Sequence, residues 1–154
     1  MSYPKIAFVV GHANWGKSST LRALTGGSHH VRRIELKETR FLLRRMSNDD
    51  RPESFDKLMK RLEPSSWPYV LAALCPNFHD DKVNLESIFD SLREKGYKLF
   101  FWVIEHQFGT SETVRPTELT SLRRFGRVEV YSARSEARVR AARFRTFVEQ
   151  VVLQ

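Results

Sequence analysis

The sequence predicts an α/β fold, a three-layer α/β/α sandwich around a mostly parallel sheet of about six strands. Three observations predict it. Apolar runs of strand length alternate with amphipathic stretches of helix length along the whole chain. The run Tyr69-Val70-Leu71-Ala72-Ala73-Leu74-Cys75 is apolar throughout, the pattern of a strand covered on both faces in a parallel sheet. One pair of strand-like segments, 31–36 and 39–46, is joined by only Lys37-Glu38, which fits a single antiparallel hairpin. With 154 residues the default is one domain, 1–154, with a full core.

Taken in order, Lys5-Ile6-Ala7-Phe8-Val9-Val10 is a short, partly β-branched buried strand. A loop with Gly11 and Gly16 follows, and 18–24 reads as a helix that stops at Gly26-Gly27, residues suited to a C′ position. Ser28-His29-His30 has no strong pattern. Its adjacent histidines do not converge on a metal, and no His or Cys follows at ligand spacing, so a mobile loop is expected there. In the hairpin, Val31, Ile34 and Leu36 are the apolar residues of the first segment and Phe41, Leu42 and Leu43 those of the second; helix competes, because Leu, Arg and Glu are good helix formers and the alternation is imperfect.

Residues 47–52 are turn chemistry, and 53–62 put Phe55, Leu58, Met59 and Leu62 on one helical face. Pro64-Ser65-Ser66-Trp67-Pro68 leads into the buried strand at 69–75, which Pro76-Asn77 closes. Residues 84–95 form an amphipathic helix with Leu85, Ile88, Phe89 and Leu92 inward, Asn84 as cap and Gly96 just past the end. Strand 98–104, a loop through Gly109 and Pro116, a short helix near 118–124, Gly126 and strand 127–131 come next. The last helix, about 135–153, aligns Ala137, Ala141, Phe144, Val148 and Val151. Its arginines flank that stripe as the snorkelling side chains of a surface helix.

Hydrophobic content of 41% with 12% aromatic fits a packed interior, and no apolar run approaches the ~20 residues that cross a bilayer. The segment MSYPKIAFVV lacks a basic leader and a small-residue cleavage site, so a cytoplasmic location is expected. Cys75 is the only cysteine, which excludes an internal disulfide; its apolar neighbours suggest a buried thiol rather than a nucleophile. Twenty-six Lys and Arg against eighteen Asp and Glu leave a formal +8, which favours polyanionic partners: nucleic acid, acidic protein or nucleotide. The excess is mostly arginine, in clusters at 32–45, 123–127 and 134–145, and no nucleic-acid motif frames them.

The stretch Gly11-His12-Ala13-Asn14-Trp15-Gly16-Lys17-Ser18 fits the GxxxxGK[ST] phosphate-binding pattern, with a strand before it and a helix after it. A chance match in a chain of this length arises at about the one per cent level before that context is demanded. Glycines let the backbone turn tightly and aim successive N–H groups at phosphate oxygens, and the following helix adds its positive end. Lys17 would contact the outer phosphates and Ser18 would place its hydroxyl on Mg²⁺. The cofactor-binding set is therefore residues 11–18 with Ser19.

The longer run GHANWGKSSTLRALTG resembles the NxGKSSL…LTG form of GTPases of tRNA modification and ribosome assembly, and the order of elements resembles that of Ras-like GTP-binding domains. The resemblance implies a K⁺ ion held by Asn14 beside the phosphates; a turn that tolerates Asn accounts for the same residue. It also implies DxxG after the hairpin, where Asp holds Mg²⁺ and the Gly N–H touches the γ-phosphate. Here Asp49-Asp50-Arg51-Pro52 stands instead: Asp49 can keep the metal role, but Pro52 has no N–H to give. The alternative reading of Asp49 and Asp50 is as acids favouring a helix N-terminus.

The guanine-selecting NKxD is replaced by Glu105-His106-Gln107-Phe108, whereas Ser132-Ala133-Arg134 resembles the SAK loop that lies against the base. Glu105, at a strand end, is also where P-loop ATPases keep a Walker-B acid or catalytic base; its alternative is a solvated charge. Arg32 or Arg33, or an arginine of another subunit, would serve as a finger at the γ-phosphate. The expected function is nucleoside triphosphate binding with Mg²⁺ and weak or partner-dependent hydrolysis of ATP or GTP, with Lys17, Asp49 and Glu105 as catalytic candidates. The alternatives are a phosphotransferase, although no lid insertion is found, and a non-hydrolysing module whose nucleotide fixes a surface for a partner.

Overall fold

A computed structural model describes residues 3–27, 32–107 and 110–154. The expectations for Ser28-His29-His30, Val31, Phe108 and Gly109 fall outside the described residues. The elements are β1 (Lys5–Val10), α1 (Lys17–Leu24), β2 (Arg33–Leu36), β3 (Thr39–Arg44), α2 (Pro52–Arg61), β4 (Tyr69–Leu74), α3 (Leu85–Glu94), β5 (Lys98–Ile104), α4 (Pro116–Arg123), β6 (Gly126–Tyr131) and α5 (Ala137–Phe147). A π-helical stretch, Val148–Val152, extends α5.

The strands form one sheet in the order β2-β3-β4-β1-β5-β6, parallel at every pair except β2 with β3. Alternation along β1 explains the layering. Ile6, Phe8 and Val10 face a core filled by Phe55 and Met59 of α2, Ile88, Phe89 and Leu92 of α3, and Leu122 of α4. Ala7 and Val9 face Leu21 of α1 and Phe144 and Phe147 of α5. Helices thus cover both faces of the sheet, as a three-layer sandwich requires. Burial of the Phe8–Phe101 pair, stacked at 5.4 Å, and of Phe89 against Phe101 at 5.3 Å ties the central strands to α3.

Local sequence explains the ends of elements. Lys37 (φ 51°) and Glu38 (φ 63°) both adopt the left-handed region, the two-residue turn whose twist suits a hairpin. Asn84 Oδ1 accepts from the Ser87 N–H at 3.0 Å and caps α3. At Gly126 a Cβ would lie 2.1 Å from the Leu99 carbonyl oxygen, so only glycine lets β6 start against β5. The last helix runs close to its expected length: α5 is α-helical to Phe147 and then widens into the π-helical turn, with Leu153 N–H bonding to Val148 O at 2.9 Å. The buried Lys5 ammonium of β1 donates to Val152 O at 2.5 Å and Gln154 O at 3.2 Å, satisfying carbonyls that the helix end leaves open.

Two topological facts position the site. The connection after β1 passes to α1 on one face, whereas those after the flanking strands β4 and β5 pass to α3 and α4 on the other. The carboxyl end of β1 is therefore a switch point of the sheet, the kind of place where open α/β sheets take ligands. Secondly, β4 stands between β1 and β3, so the end of the hairpin is two strand spacings from the end of β1, about 10 Å. Element order agrees with the expectation, and the strand order places β4 between the hairpin and the loop-bearing strand. No helix among the described residues is long and apolar enough to cross a membrane.

Candidate functional site

The glycine-rich loop leaves β1 with Gly11 N–H bonded to Leu74 O at 3.0 Å. Asn14 (φ 67°) and Gly16 (φ 96°) then take left-handed conformations, which reverse the chain into α1. Trp15 is buried with Val10 and Val114 in the α3–α4 core, so its indole anchors the loop and only its backbone is left for a ligand. Ala13 and Asn14 are exposed. The N–H groups of Gly16, Lys17, Ser18 and Ser19 find no acceptor among the described residues, whereas Thr20 N–H bonds to Gly16 O at 2.9 Å. Four such donors at the start of a helix are groups that an anion can satisfy.

Lys17 is 5% exposed. Its ammonium donates to His12 O at 3.0 Å and lies 3.7 Å from Asp49 Oδ1. The carboxylate comes from the turn after β3, which crosses the end of the intervening strand. Asn48, with 0% exposure, makes that crossing: its Nδ2 donates to Cys75 O at 3.0 Å and its Oδ1 accepts from Cys75 N–H at 2.7 Å. Ser47 Oγ donates to the Asp49 carboxylate, and Ser47 N–H donates to Asp50 Oδ2 at 3.2 Å. The sequence therefore closes the gap left by β4 with a buried amide clamp, and it brings Lys17 and Asp49 together.

On the other side of the loop, His12 Nε2 lies 2.8 Å from Glu118 Oε2, while Glu118 Oε1 accepts from Arg115 N–H at 2.9 Å at the start of α4. The His12 ring meets Trp15 edge-on at 5.1 Å. Cys75 Sγ sits 3.8 Å from His12 Nδ1, but burial, with a lesser contribution from Asp49, pushes the thiol up to about 11. A thiol so raised stays protonated at neutral pH, and Cys75 is buried as expected.

Glu105 is held elsewhere. Its Oε2 accepts from Ser132 Oγ at 2.5 Å and its Oε1 lies 3.5 Å from His106 Nε2. Arg134 donates through Nη1 to Thr110 O and, at 3.5 Å, to Gln107 O, so the 132–134 loop and the segment after β5 form one cluster beside β6. Arg33 is turned away from the loop: its guanidinium lies 5.3 Å over the Trp67 ring, before the amino-terminal end of β4. The basic residues Arg44, Arg51, Lys57 and Arg61 line an open groove along α2 with Asp50 and Glu53.

One arginine departs from the snorkelling expected of α5. Arg140 is 7% exposed and lies against Gly16, Ser19 and Thr20. Its Nε donates to Thr20 Oγ1 at 2.9 Å, its Nη2 to Ser19 Oγ at 3.1 Å, and its Nη1 to Ser135 O. Both hydroxyls in turn donate to Gly16 O, at 3.1 Å from Ser19 and 2.6 Å from Thr20. Burial lowers its pKa from the usual arginine value. Position 140 is three residues after Ala137 and four before Phe144, so the spacing of the buried stripe itself marked it.

Gly16 is fixed twice, by its positive φ and by this guanidinium, whose Nη2 would lie 2.5 Å from an added Cβ. Gly16→Ala is expected to cost about 1–3 kcal/mol of folding stability. Urea unfolding measures it, and an unchanged midpoint would contradict the packing described. Comparison with protein-family models, with curated proteins and with solved structures finds no match for this chain.

Proposed function

We propose that this chain binds a nucleoside triphosphate with Mg²⁺ in a P-loop, and that it turns the nucleotide over slowly or only with a partner. The observation that supports this most is Lys17, a buried ammonium held by one carbonyl and one carboxylate in a loop whose N–H groups at 16–19 have no acceptor among the described residues. Such a site gains by exchanging those contacts for phosphate oxygens. The pattern GHANWGKS at the carboxyl end of a central parallel strand points to the same ligand.

Ser18 and Asp49 are the residues that would hold Mg²⁺, which supplies charge neutralisation at the outer phosphates. The fit is chemical: Mg²⁺ keeps several waters and takes one or two protein oxygens plus phosphate oxygens, so it needs no larger donor cluster. Asp49 is preset for this by Ser47 Oγ and by the Asn48 clamp. Lys17 draws charge from the outer phosphates, and the loop N–H groups orient them.

Slow turnover is favoured by where the other acids are. Glu118 is bonded to His12 and Arg115, and Glu105 to Ser132 and His106, which leaves neither aimed at a water attacking the γ-phosphate. The same observation favours a second reading, a module that holds its nucleotide without hydrolysis. A Ras-like switch gains no support: Pro52 is the first residue of α2 and lacks an N–H, and β4 separates β3 from β1. Phosphate release on adding Mg·ATP or Mg·GTP, set against binding without release, distinguishes the two readings.

Base choice follows from Glu105. Guanine selection needs a carboxylate accepting two hydrogen bonds, and Glu105, the acid that the 132–134 loop contacts, is already engaged by Ser132. ATP and GTP should therefore bind within about tenfold of each other, ~1.4 kcal/mol, because either purine stacks comparably. Competition at equal Mg²⁺ tests this, and a GTP preference beyond roughly a hundredfold would mean that Glu105 leaves Ser132 for guanine. Run in Na⁺ and in K⁺, the same titration tests a K⁺ ion at Asn14: equal affinities and rates leave Asn14 with only its left-handed turn.

A further inference from the structure

We propose that Arg140 is a second cation of the nucleotide site, one that binds the phosphate next to the ribose; this rests on the nucleotide-binding reading above. A guanidinium carries five N–H donors, and the three bonds Arg140 makes go to neutral oxygens: Thr20 Oγ1, Ser19 Oγ and Ser135 O. No Asp or Glu lies within ion-pair distance of it among the described residues. A charge at 7% exposure without a counter-charge is costly unless an anion arrives. Structural arginines at such depth are ordinarily paired with a carboxylate.

Location identifies which phosphate. The loop has a cation on each side. Lys17 lies toward β3 and β4, beside Asp49, the end expected for Mg²⁺ and the outer phosphates. Arg140 lies toward β6 and α5, against Gly16 and Ser19, and is tied to Ser135 one residue after the 132–134 loop. A nucleotide laid with its outer phosphates at Lys17 and its base at Ser132–Arg134 passes Arg140 at its innermost phosphate. Two guanidinium N–H groups are left for it, and the Ser19 N–H without an acceptor is beside them.

The test is titration calorimetry of ATP, ADP, GTP and GDP with the wild type, Arg140→Met, Arg140→Lys and Lys17→Ala. Triphosphate and diphosphate share the inner phosphate, so Arg140→Met should weaken both by the same factor, about 10- to 100-fold, and Arg140→Lys by less. Lys17→Ala should instead penalise the triphosphate more than the diphosphate. If Arg140 only braces the loop, Arg140→Met lowers the unfolding midpoint of the free protein yet leaves affinities within about twofold, which overturns the proposal. A loss confined to the triphosphate overturns it as well.

Should Arg140→Met not fold, the Arg140 Nε–H resonance of the wild type is the readout. A shift on adding either diphosphate supports the contact, and an unmoved resonance in the saturated protein overturns it. Wild-type protein that binds none of the four nucleotides overturns the nucleotide reading, and Arg140's role with it. Tight wild-type binding with unchanged Arg140 variants overturns Arg140's role alone.

Discussion

Lys17→Ala is expected to lower affinity for Mg²⁺-bound triphosphate by roughly a hundredfold or more, since a buried charge-assisted contact to phosphate is lost where water cannot replace it. The fold should persist. Lys17 packs in the first turn of α1, but its ammonium serves His12 O and Asp49 rather than the apolar core. Removing a buried charge relieves its desolvation cost while leaving Asp49 without its cation, two effects of opposite sign. Thermal unfolding of the variant should therefore stay close to that of the wild type. Calorimetric titration of both proteins checks the binding loss, and equal affinities would remove the loop from any phosphate role.

The second large effect is expected at Asn48→Ala. Its amide satisfies the N–H and the C=O of Cys75 at 2.7 and 3.0 Å in a position with no exposure to water. Truncation leaves the Cys75 N–H buried and unpaired, while its C=O keeps the Asn77 N–H at 2.8 Å, at a cost of about 1–3 kcal/mol. The turn also loses its hold on the end of β4, so Asp49 moves away from Lys17 and the Mg²⁺ dependence of binding weakens in the variant. Urea unfolding measures the first consequence, and titration at varied Mg²⁺ the second. A midpoint equal to the wild type's would mean that the turn is positioned without this clamp.

Most elements were legible because their signals are local. The all-apolar runs of β1, β4 and β5 could be satisfied only between two helical layers, and Asn84, Gly26 and Gly96 marked helix ends with capping chemistry. Strand order was not legible, because pairing β4 between β1 and β3 is a choice among buried strands of similar composition. The loop was read from its glycines and Lys17, while its supports were not. Asn48 sits in a polar turn whose role depends on Cys75, 27 residues away in sequence. Glu118 meets His12 across 106 residues, and Arg140 meets Thr20 across 120. Only Arg140 left a trace in the pattern, since its position falls on the buried stripe of α5.

Binding of a nucleoside triphosphate by the loop at the end of β1 is open to a direct measurement. The most direct test is the unfolding midpoint of the purified wild-type protein with rising Mg·ATP and, in parallel, Mg·GTP. A ligand that binds only the folded state stabilises by about 2.7 kcal/mol at a hundred times its dissociation constant, so the midpoint should rise with concentration for both nucleotides and not in Lys17→Ala. A midpoint that stays flat for both nucleotides up to millimolar concentration would contradict the account.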